Sequence, residues 1–108
     1  MIPDKNIVKL FNWAKKYQVD DILENRETLQ SLKSLDLSYR LLSSLPSEIF
    51  LLTSLEELDI SHNNLKELPA DITKLKSLKL LNISWNHITH NLDFLPTNIK
   101  INSAWNRS

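Results

Sequence analysis

The chain has 108 residues, of which 42% are apolar, and this length fits one small domain. Thirteen basic residues balance thirteen acidic ones, so there is no net electrostatic field that would attract nucleic acid or an anionic membrane. Cysteine and glycine are both absent, which excludes disulfides, thiol catalysis, thiolate metal sites and the glycine-rich loops that bind phosphates or dinucleotides.

Residues 1–31 are predicted to be helical. Apolar residues spaced by three and four indicate one face of a helix that begins near Pro3 or Asp4, and a second short helical segment is predicted from Asp20 or Asp21 through Leu29. Trp13 lies off this apolar face, where it is expected to pack against the first repeat. The apolar face consists of Ile7, Leu10, Phe11, Ala14 and Tyr17.

The N-terminal sequence also bears on localisation. The first thirteen residues, MIPDKNIVKLFNW, carry charges where a secretory signal would have an apolar run, and no stretch of the chain is apolar for long enough to span a bilayer. We therefore expect a cytoplasmic protein with no membrane partner.

From Leu32 onward the chain repeats itself with a period of 23 residues. We call the three successive repeat segments lines, and they cover residues 32–54, 55–77 and the shorter 78–97. The first half of each line alternates apolar and polar residues, as with Leu35 and Leu37, and this period of two predicts a short strand with one buried face. In the second half, Leu45, Ile49 and Leu52 are spaced by four and three, and Pro46 and Pro69 suit a first turn, which indicates a helical or 3₁₀ return.

The third line departs from this pattern, because the next strand-like stretch follows after 20 residues. Residues 98–106 align with 78–86 and match Trp105 with Trp85, so we count three repeats and a partial fourth over 98–108. Ser103 replaces Ile83 in that alignment, so the last strand is predicted to contribute little to the core. Its edge invites pairing with another chain. A minimal cap formed by the last residues, association through this end, and a longer parent protein remain three open alternatives.

The spacing L-x-x-L-x-L-x-x-N-x-L, followed by L-P-x-x-I-x-x-L, resembles the leucine-rich repeat family in its common 23-residue form. The resemblance implies an α/β fold, a right-handed solenoid with short parallel strands on the concave face and a binding role for that face. A solenoid exposes its core at both ends, so residues 1–31 are interpreted as an N-terminal helical cap, with a separate partner-binding helix as the alternative. The resemblance also implies that Asn63, Asn86 and Asn106 turn inward and bond to the backbone of neighbouring turns. In the first repeat this position is Arg40, and the direction of its side chain remains open.

The outward strand positions are predicted to form four columns, because equivalent residues of neighbouring strands lie side by side. The candidate partner-binding residues come from three of them. An aromatic column contains Tyr39, His62, Trp85 and Trp105; an acidic group contains Asp36, Glu57 and Asp59; Leu80 shares a column with Glu57. A third column, Ser38, Ser61, Ser84 and Ala104, is also expected to face outward. The hypothesis is a ligand with an apolar patch near the tryptophans and a basic group near the aspartates. In the alternative, the aromatic column only shields the backbone of the sheet.

These features predict a non-catalytic protein-binding module whose partner contacts the concave sheet face. The alternative is self-assembly into a homodimer through the aromatic column or the C-terminal strand edge. Enzymatic activity is not expected: His62, His87 and His90 lack a carboxylate or thiol at fitting spacing to complete a metal set, and no serine has the context of a nucleophile. We therefore expect no cofactor and no bound metal.

Overall fold

The computed structural model describes residues 2–107, apart from the side chain of Arg26. Two α-helices come first, α1 (Asp4–Tyr17) and α2 (Asp20–Leu23), and a 3₁₀ segment, Arg26–Ser31, leads into the repeats. Four strands follow: β1 (Ser34–Asp36), β2 (Glu57–Asp59), β3 (Leu80–Asn82) and β4 (Lys100–Asn102). Further 3₁₀ segments, Ser47–Leu51 and Ala70–Lys74, form the returns of the first two repeats.

The predicted N-terminal helix is confirmed, and its ends follow from the local sequence. Asp4 lies in the first turn, and Lys15 and Lys16 lie in the last turn. The negative charge at the N-terminus and the positive charges at the C-terminus interact favourably with the helix dipole. The helix ends at Gln18, which adopts the left-handed conformation and donates its backbone N–H to the carbonyl of Ala14. Leu10 and Ala14 are buried, and Trp13 is partly buried against the core beside Tyr17. The helix therefore covers one end of the repeat core.

The four strands form one parallel sheet in the order β1-β2-β3-β4. The register pairs Ser34 with Glu57 and Glu57 with Leu80, and the later pairs continue in the same way. The predicted alignment of the repeats is therefore confirmed. The central residue is buried in β1, β2 and β3, whereas Ile101 in β4 is only partly buried, as the weak fourth repeat predicts.

The returns close the core on the side opposite the sheet. Ile49 and Ile72 are buried in the first two returns. In the described part of the chain no helix lies between β3 and β4, and Leu95 provides the buried residue of this shorter return. Each repeat therefore packs against its sequence neighbours, which is the arrangement of a solenoid.

The inward asparagines bond the repeats to one another, as the family resemblance implies. The Nδ2 group of Asn63 donates to the carbonyls of Leu37, Ile60 and Ser61 at 2.9–3.0 Å. Its Oδ1 atom accepts from the backbone amides of Arg40 and Leu42 at 3.0 and 3.1 Å. Asn86 repeats the three donor bonds one repeat further on. Within residues 2–107 the carbonyl of Leu37 and the amides of Arg40 and Leu42 have no other partner, so Asn63 satisfies backbone groups that would otherwise be unpaired.

In the first repeat Arg40 occupies the asparagine position, and its side chain turns back rather than outward. Its Nη1 atom donates to the carbonyl of Ser38 at 2.6 Å, the bond that corresponds to the one from Asn63 to Ser61. Its Nη2 atom lies 3.4 Å from the carbonyl of Gln18, at the end of α1. Arg40 therefore reproduces one of the asparagine bonds and adds a contact with the cap, while its buried Nε atom has no hydrogen-bond partner in the described residues.

The free edge of β1 is also closed by the cap. The backbone amide of Asp36 points away from β2 and donates to a carboxylate oxygen of Asp21, in α2, at 2.9 Å. This bond takes the place of a preceding strand, so the helical segment covers the edge as well as the core.

In the described part of the chain, no helix combines the length and the apolar character needed to cross a membrane.

Candidate partner-binding face

A turn with the same hydrogen bonds follows each of the first three strands. In β1 the Oδ1 atom of Asp36 accepts from the amide and the hydroxyl of Ser38, at 2.9 and 2.6 Å. Asp59 and Asn82 make the equivalent bonds to Ser61 and Ser84, at 2.6–3.1 Å. In the fourth repeat Asn102 accepts only from the amide of Ala104, at 3.3 Å. Each aspartate or asparagine of this column thus ends its strand with an Asx turn.

The serine column does not face outward as predicted. Ser61 and Ser84 are buried, with exposed fractions of only 3% and 5%. The physical reason is the Asx turn, because each hydroxyl donates to the side chain two residues earlier and therefore folds against its own backbone. Ser38, in the first repeat, is partly buried. Ser61 and Ser84 therefore contribute little surface to a partner, whereas Ala104, in the fourth repeat, is exposed as predicted.

The aromatic column lies next along the chain and has an unusual backbone. Tyr39, His62, Trp85 and Trp105 all have positive φ angles, between 55° and 61°. This left-handed region costs residues with a Cβ atom about 1–2 kcal/mol each, and bulky residues seldom adopt it. The sequence gives no local signal for it, because glycine is absent and no asparagine occupies these positions.

The four side chains form one continuous stack. Ring centroids are 4.0 Å apart for Tyr39 and His62, 5.4 Å for His62 and Trp85, and 5.1 Å for Trp85 and Trp105. The interplanar angles are 12–19°, so the rings are nearly parallel. Each inner ring therefore has both faces covered by its neighbours and presents its edge to solvent. The stack is nevertheless well exposed, at 72% for Tyr39, 49% for Trp85 and 56% for Trp105.

The acidic residues line a shallow depression beside this stack. The depression has a volume of about 260 Å³ and spans β1, β2 and β3. Its polar and apolar lining comprises Ser34, Leu35, Asp36, Glu57, Leu58, Asp59, Leu80 and Asn82. Four of the predicted site residues, Asp36, Glu57, Asp59 and Leu80, therefore meet in one place.

The carboxylate of Asp36 is held in its charged form. Partial burial raises the pKa of Asp36, but the hydrogen bonds from the hydroxyl and amide of Ser38, together with the charge of Arg40, lower it by more. Its net pKa is below the ordinary value. The Oδ2 atoms of Asp36 and Asp59 make no hydrogen bond with residues 2–107, so each remains available to a partner.

One exposed apolar residue close to the aromatic column in sequence was not among the predicted site residues. Leu41 is 81% exposed and also has a left-handed backbone, with φ at 58°. The available signal was its apolar side chain at a position where the second repeat has Asn64. It follows Tyr39 by two residues, so the first repeat presents two exposed apolar side chains on strained backbone.

The histidines are engaged in other contacts. His62 belongs to the ring stack, and the Nδ1 atom of His87 lies 2.8 Å from the carbonyl of Arg107. The Nε2 atom of His90 accepts from the amide of Leu68 at 3.0 Å. Within residues 2–107 no group of three or more histidine, cysteine or acidic side chains is arranged to hold a metal ion.

Comparison with known proteins agrees with the repeat architecture. A search of the curated proteins found no match to the chain. The family model described as leucine rich repeat matches residues 30–88, which is more than half of the chain, including the first two strands, both 3₁₀ returns and β3. With its parallel sheet, 23-residue period and inward asparagines, this chain belongs to the leucine-rich repeat family.

Proposed function

We propose that this protein is a non-catalytic interaction module that binds a protein partner with its concave sheet face. Leucine-rich repeat domains generally mediate protein–protein interaction, and the family is typically non-catalytic. The outward residues of the sheet support the concave face as the binding surface. That surface combines an exposed ring stack with an acidic depression.

The observation that carries this proposal is the ring stack on left-handed backbone. Glycine or asparagine would fit these positions at lower conformational cost. Stacking returns about 0.5–1.5 kcal/mol for each ring pair, so the column offsets part of its own strain. Backbone shielding alone does not require tryptophan at positions 85 and 105, where about half of each side chain remains exposed. Rigid, half-exposed aromatic side chains are typical anchors of protein interfaces.

The chemistry of the face indicates the partner. Three strand spacings of about 4.8 Å separate the first ring from the last, so the stack is roughly 15 Å long. The edges of Trp85 and Trp105 offer apolar contact at one end. Asp36, Glu57 and Asp59 carry negative charge at the other end. A complementary partner has an apolar patch and a basic group about this far apart.

A photocrosslinking experiment tests the binding face. A photoreactive phenylalanine analogue is placed at Leu80, in the depression, and in a matched variant at Lys74, in the return of the second repeat. We expect a partner from native extract to crosslink at Leu80 and not at Lys74. Adding Trp85→Gly to the Leu80-labelled protein should reduce the product at least tenfold, because this change removes an anchor ring and suits the left-handed backbone.

Crosslinking from Lys74 alone, or products that are unchanged by Trp85→Gly, would show that the partner binds elsewhere. The folded state of each variant is checked by circular dichroism, so a loss of product cannot be assigned to unfolding.

A second candidate function, self-assembly, is favoured by one observation at the last strand. The amides of Leu37, Ile60 and Ile83 each donate to the next strand, but in residues 2–107 the corresponding amide of Ser103 donates to no acceptor. The amide of Trp105 is in the same situation. An unpaired strand edge of this kind can pair with another copy of the chain.

Light scattering after size exclusion separates the two functions. The mass of wild type and Trp105→Ala is measured over a wide concentration range. A monomer at all concentrations would contradict self-assembly. A dimer that Trp105→Ala dissociates would mean that the last ring and strand edge are occupied by a second copy.

A further inference from the structure

We infer that the outer face of the Tyr39 ring binds an arginine side chain of the partner. This inference rests on the proposed function, because it identifies the basic group that the concave face receives. The basic group is thereby placed at Tyr39 and is arginine, not lysine.

Tyr39, at one end of the ring stack, has an open ring face. His62 and Trp85 are each stacked on both sides, so no planar group can reach their faces. Tyr39 is stacked only on His62, at 4.0 Å, and is still 72% exposed. Such exposure requires that its second face is in solvent. The stack therefore has an open end at Tyr39 that a planar group can extend.

The described cations of the chain make their contacts away from this ring face. Arg40 is the neighbouring cation, but its guanidinium group turns back to the carbonyls of Ser38 and Gln18. In the described part of the chain, the cation that lies over an aromatic ring is Lys16, above Tyr17. No described cation therefore covers Tyr39, and its face is free for a cation from outside.

The backbone around Tyr39 is held in a left-handed conformation. Tyr39 and Leu41 flank Arg40, and both have left-handed φ angles, of 56° and 58°. The amide of Arg40 is fixed by the Oδ1 atom of Asn63 at 3.0 Å. The segment is therefore held in a costly conformation while two large apolar side chains stay in solvent. Backbone strain of this kind concentrates at ligand-contact sites.

The charge of the sheet and the flat shape of the ring together favour a guanidinium group as the ligand. The outward residues of β1 and β2 are Ser34, Asp36, Glu57 and Asp59, so this half of the sheet is acidic. Nearby Lys33 is paired with Glu56, which is outside this set. A guanidinium group is planar and can stack on a ring while it donates to a carboxylate, whereas an ammonium group is a compact point charge. Arginine therefore fits both the ring and the charge.

A titration with three capped amino acids tests the inference. Acetylated and amidated arginine, lysine and citrulline are added to ¹⁵N-labelled wild type, and binding is followed by amide and ring chemical shifts. Citrulline has the shape of arginine without its charge. We expect arginine to bind roughly two- to fivefold more tightly than citrulline, the size of a cation–π contact at an exposed site. Lysine should also bind more weakly than arginine, because an ammonium group cannot stack on the ring while it donates to a carboxylate.

Two variants locate the effect. Tyr39→Phe keeps the ring and should keep the preference for arginine over lysine. Tyr39→Gly suits the left-handed backbone and should abolish this preference. Equal binding of arginine and lysine by wild type, no binding of arginine, or a preference that survives Tyr39→Gly would overturn the inference.

This outcome is separable from that of the crosslinking experiment. If the preference for arginine is absent while a partner still crosslinks at Leu80, the arginine site is contradicted and the protein-binding function stands. If arginine is preferred and no partner crosslinks at Leu80, the protein-binding function fails and the local site stands.

Discussion

The two ends of the sheet differ in how their backbone groups are satisfied. At β1 the cap supplies an apolar cover, and the carboxylate of Asp21 also accepts from the edge amide of Asp36. At β4, within residues 2–107, the amides of Ser103 and Trp105 have no acceptor, and Ile101 is only partly buried. Closing the end of a solenoid therefore requires a polar partner for the strand edge as well as a cover for the core.

The inward asparagines give the largest expected contrast between the interior and the β4 end. Asn63→Ala removes five hydrogen bonds and leaves three backbone groups with no other partner in residues 2–107, namely the carbonyl of Leu37 and the amides of Arg40 and Leu42, so it should lower the free energy of unfolding by about 3 kcal/mol. Asn106→Ala removes fewer bonds at a more exposed position and should cost about 1 kcal/mol. Urea unfolding of both variants measures the difference. Equal losses would mean that the β4 end is held as firmly as the interior.

The carboxylate of Asp21 tests the closed edge. Asp21→Ala should cost about 1–2 kcal/mol, because the amide of Asp36 loses a charged acceptor. Hydrogen exchange of the Asp36 amide should accelerate in this variant. Asp20→Ala, one residue earlier in the exposed first turn of α2, is the control and should leave the exchange of that amide unchanged. Slow exchange in Asp21→Ala would show that the cap closes this edge by other means.

The left-handed backbone of Trp85 and Trp105 allows an inner position and an end position of the ring stack to be compared by substitution. At Trp85, glycine should be less destabilising than alanine by about 1 kcal/mol, the reverse of the usual order, because φ is 57°. At Trp105, where φ is 61°, the same advantage of glycine over alanine is expected. Thermal unfolding of the four variants measures both differences. If the alanine and glycine variants are equally destabilised at Trp85, the left-handed backbone does not determine the cost of substitution there.

The smallest expected effect is the pH dependence contributed by Asp36. Its pKa in the folded state is below the ordinary value of 3.8, since partial burial, which raises it, is outweighed by the bonds from Ser38 and the charge of Arg40. Its contribution to stability is therefore fully present above about pH 5 and is lost as the pH falls through the folded-state pKa. Salt should weaken the contribution, because the side chain is exposed.

Asp36→Asn isolates this charge, because Asn82 and Asn102 make the same Asx turn with an amide oxygen. We expect wild type to be the more stable at pH 7 and the two proteins to converge below the folded-state pKa. A difference that stays constant with pH would assign it to hydrogen-bond geometry instead of charge.

Much of this fold follows from the sequence, because it is encoded in short periods. Alternation around Leu35 and its equivalents predicts the strands, and the 23-residue spacing predicts which residues pair. The partial burial of Ile101 also agrees with the weak fourth repeat. The candidate site residues are brought together as two adjacent groups, a ring stack and an acidic depression. Their role in binding remains a prediction.

The details that the sequence did not reveal depend on contacts between repeats or on the backbone. The left-handed conformation of the aromatic column has no glycine signal, so neither its strain nor the parallel stacking could be inferred. Ser61 and Ser84 were expected in solvent because strand alternation was extended into the Asx turn, where it no longer holds. The direction of Arg40 depends on the cap carbonyl that it reaches, which no local pattern encodes.

The asparagine bonds have one further consequence, for how such a chain can change in length. Asn63 donates to the carbonyl of Leu37, and Asn86 donates to the carbonyl of Ile60, each at 2.9 Å. Both flanks of the second repeat therefore present the same set of contacts. Tandem duplication of its 23-residue segment would insert a unit that satisfies its neighbours at once. The concave surface can thus grow in steps of about 4.8 Å, each adding one ring to the stack and one carboxylate or amide to the row beside it.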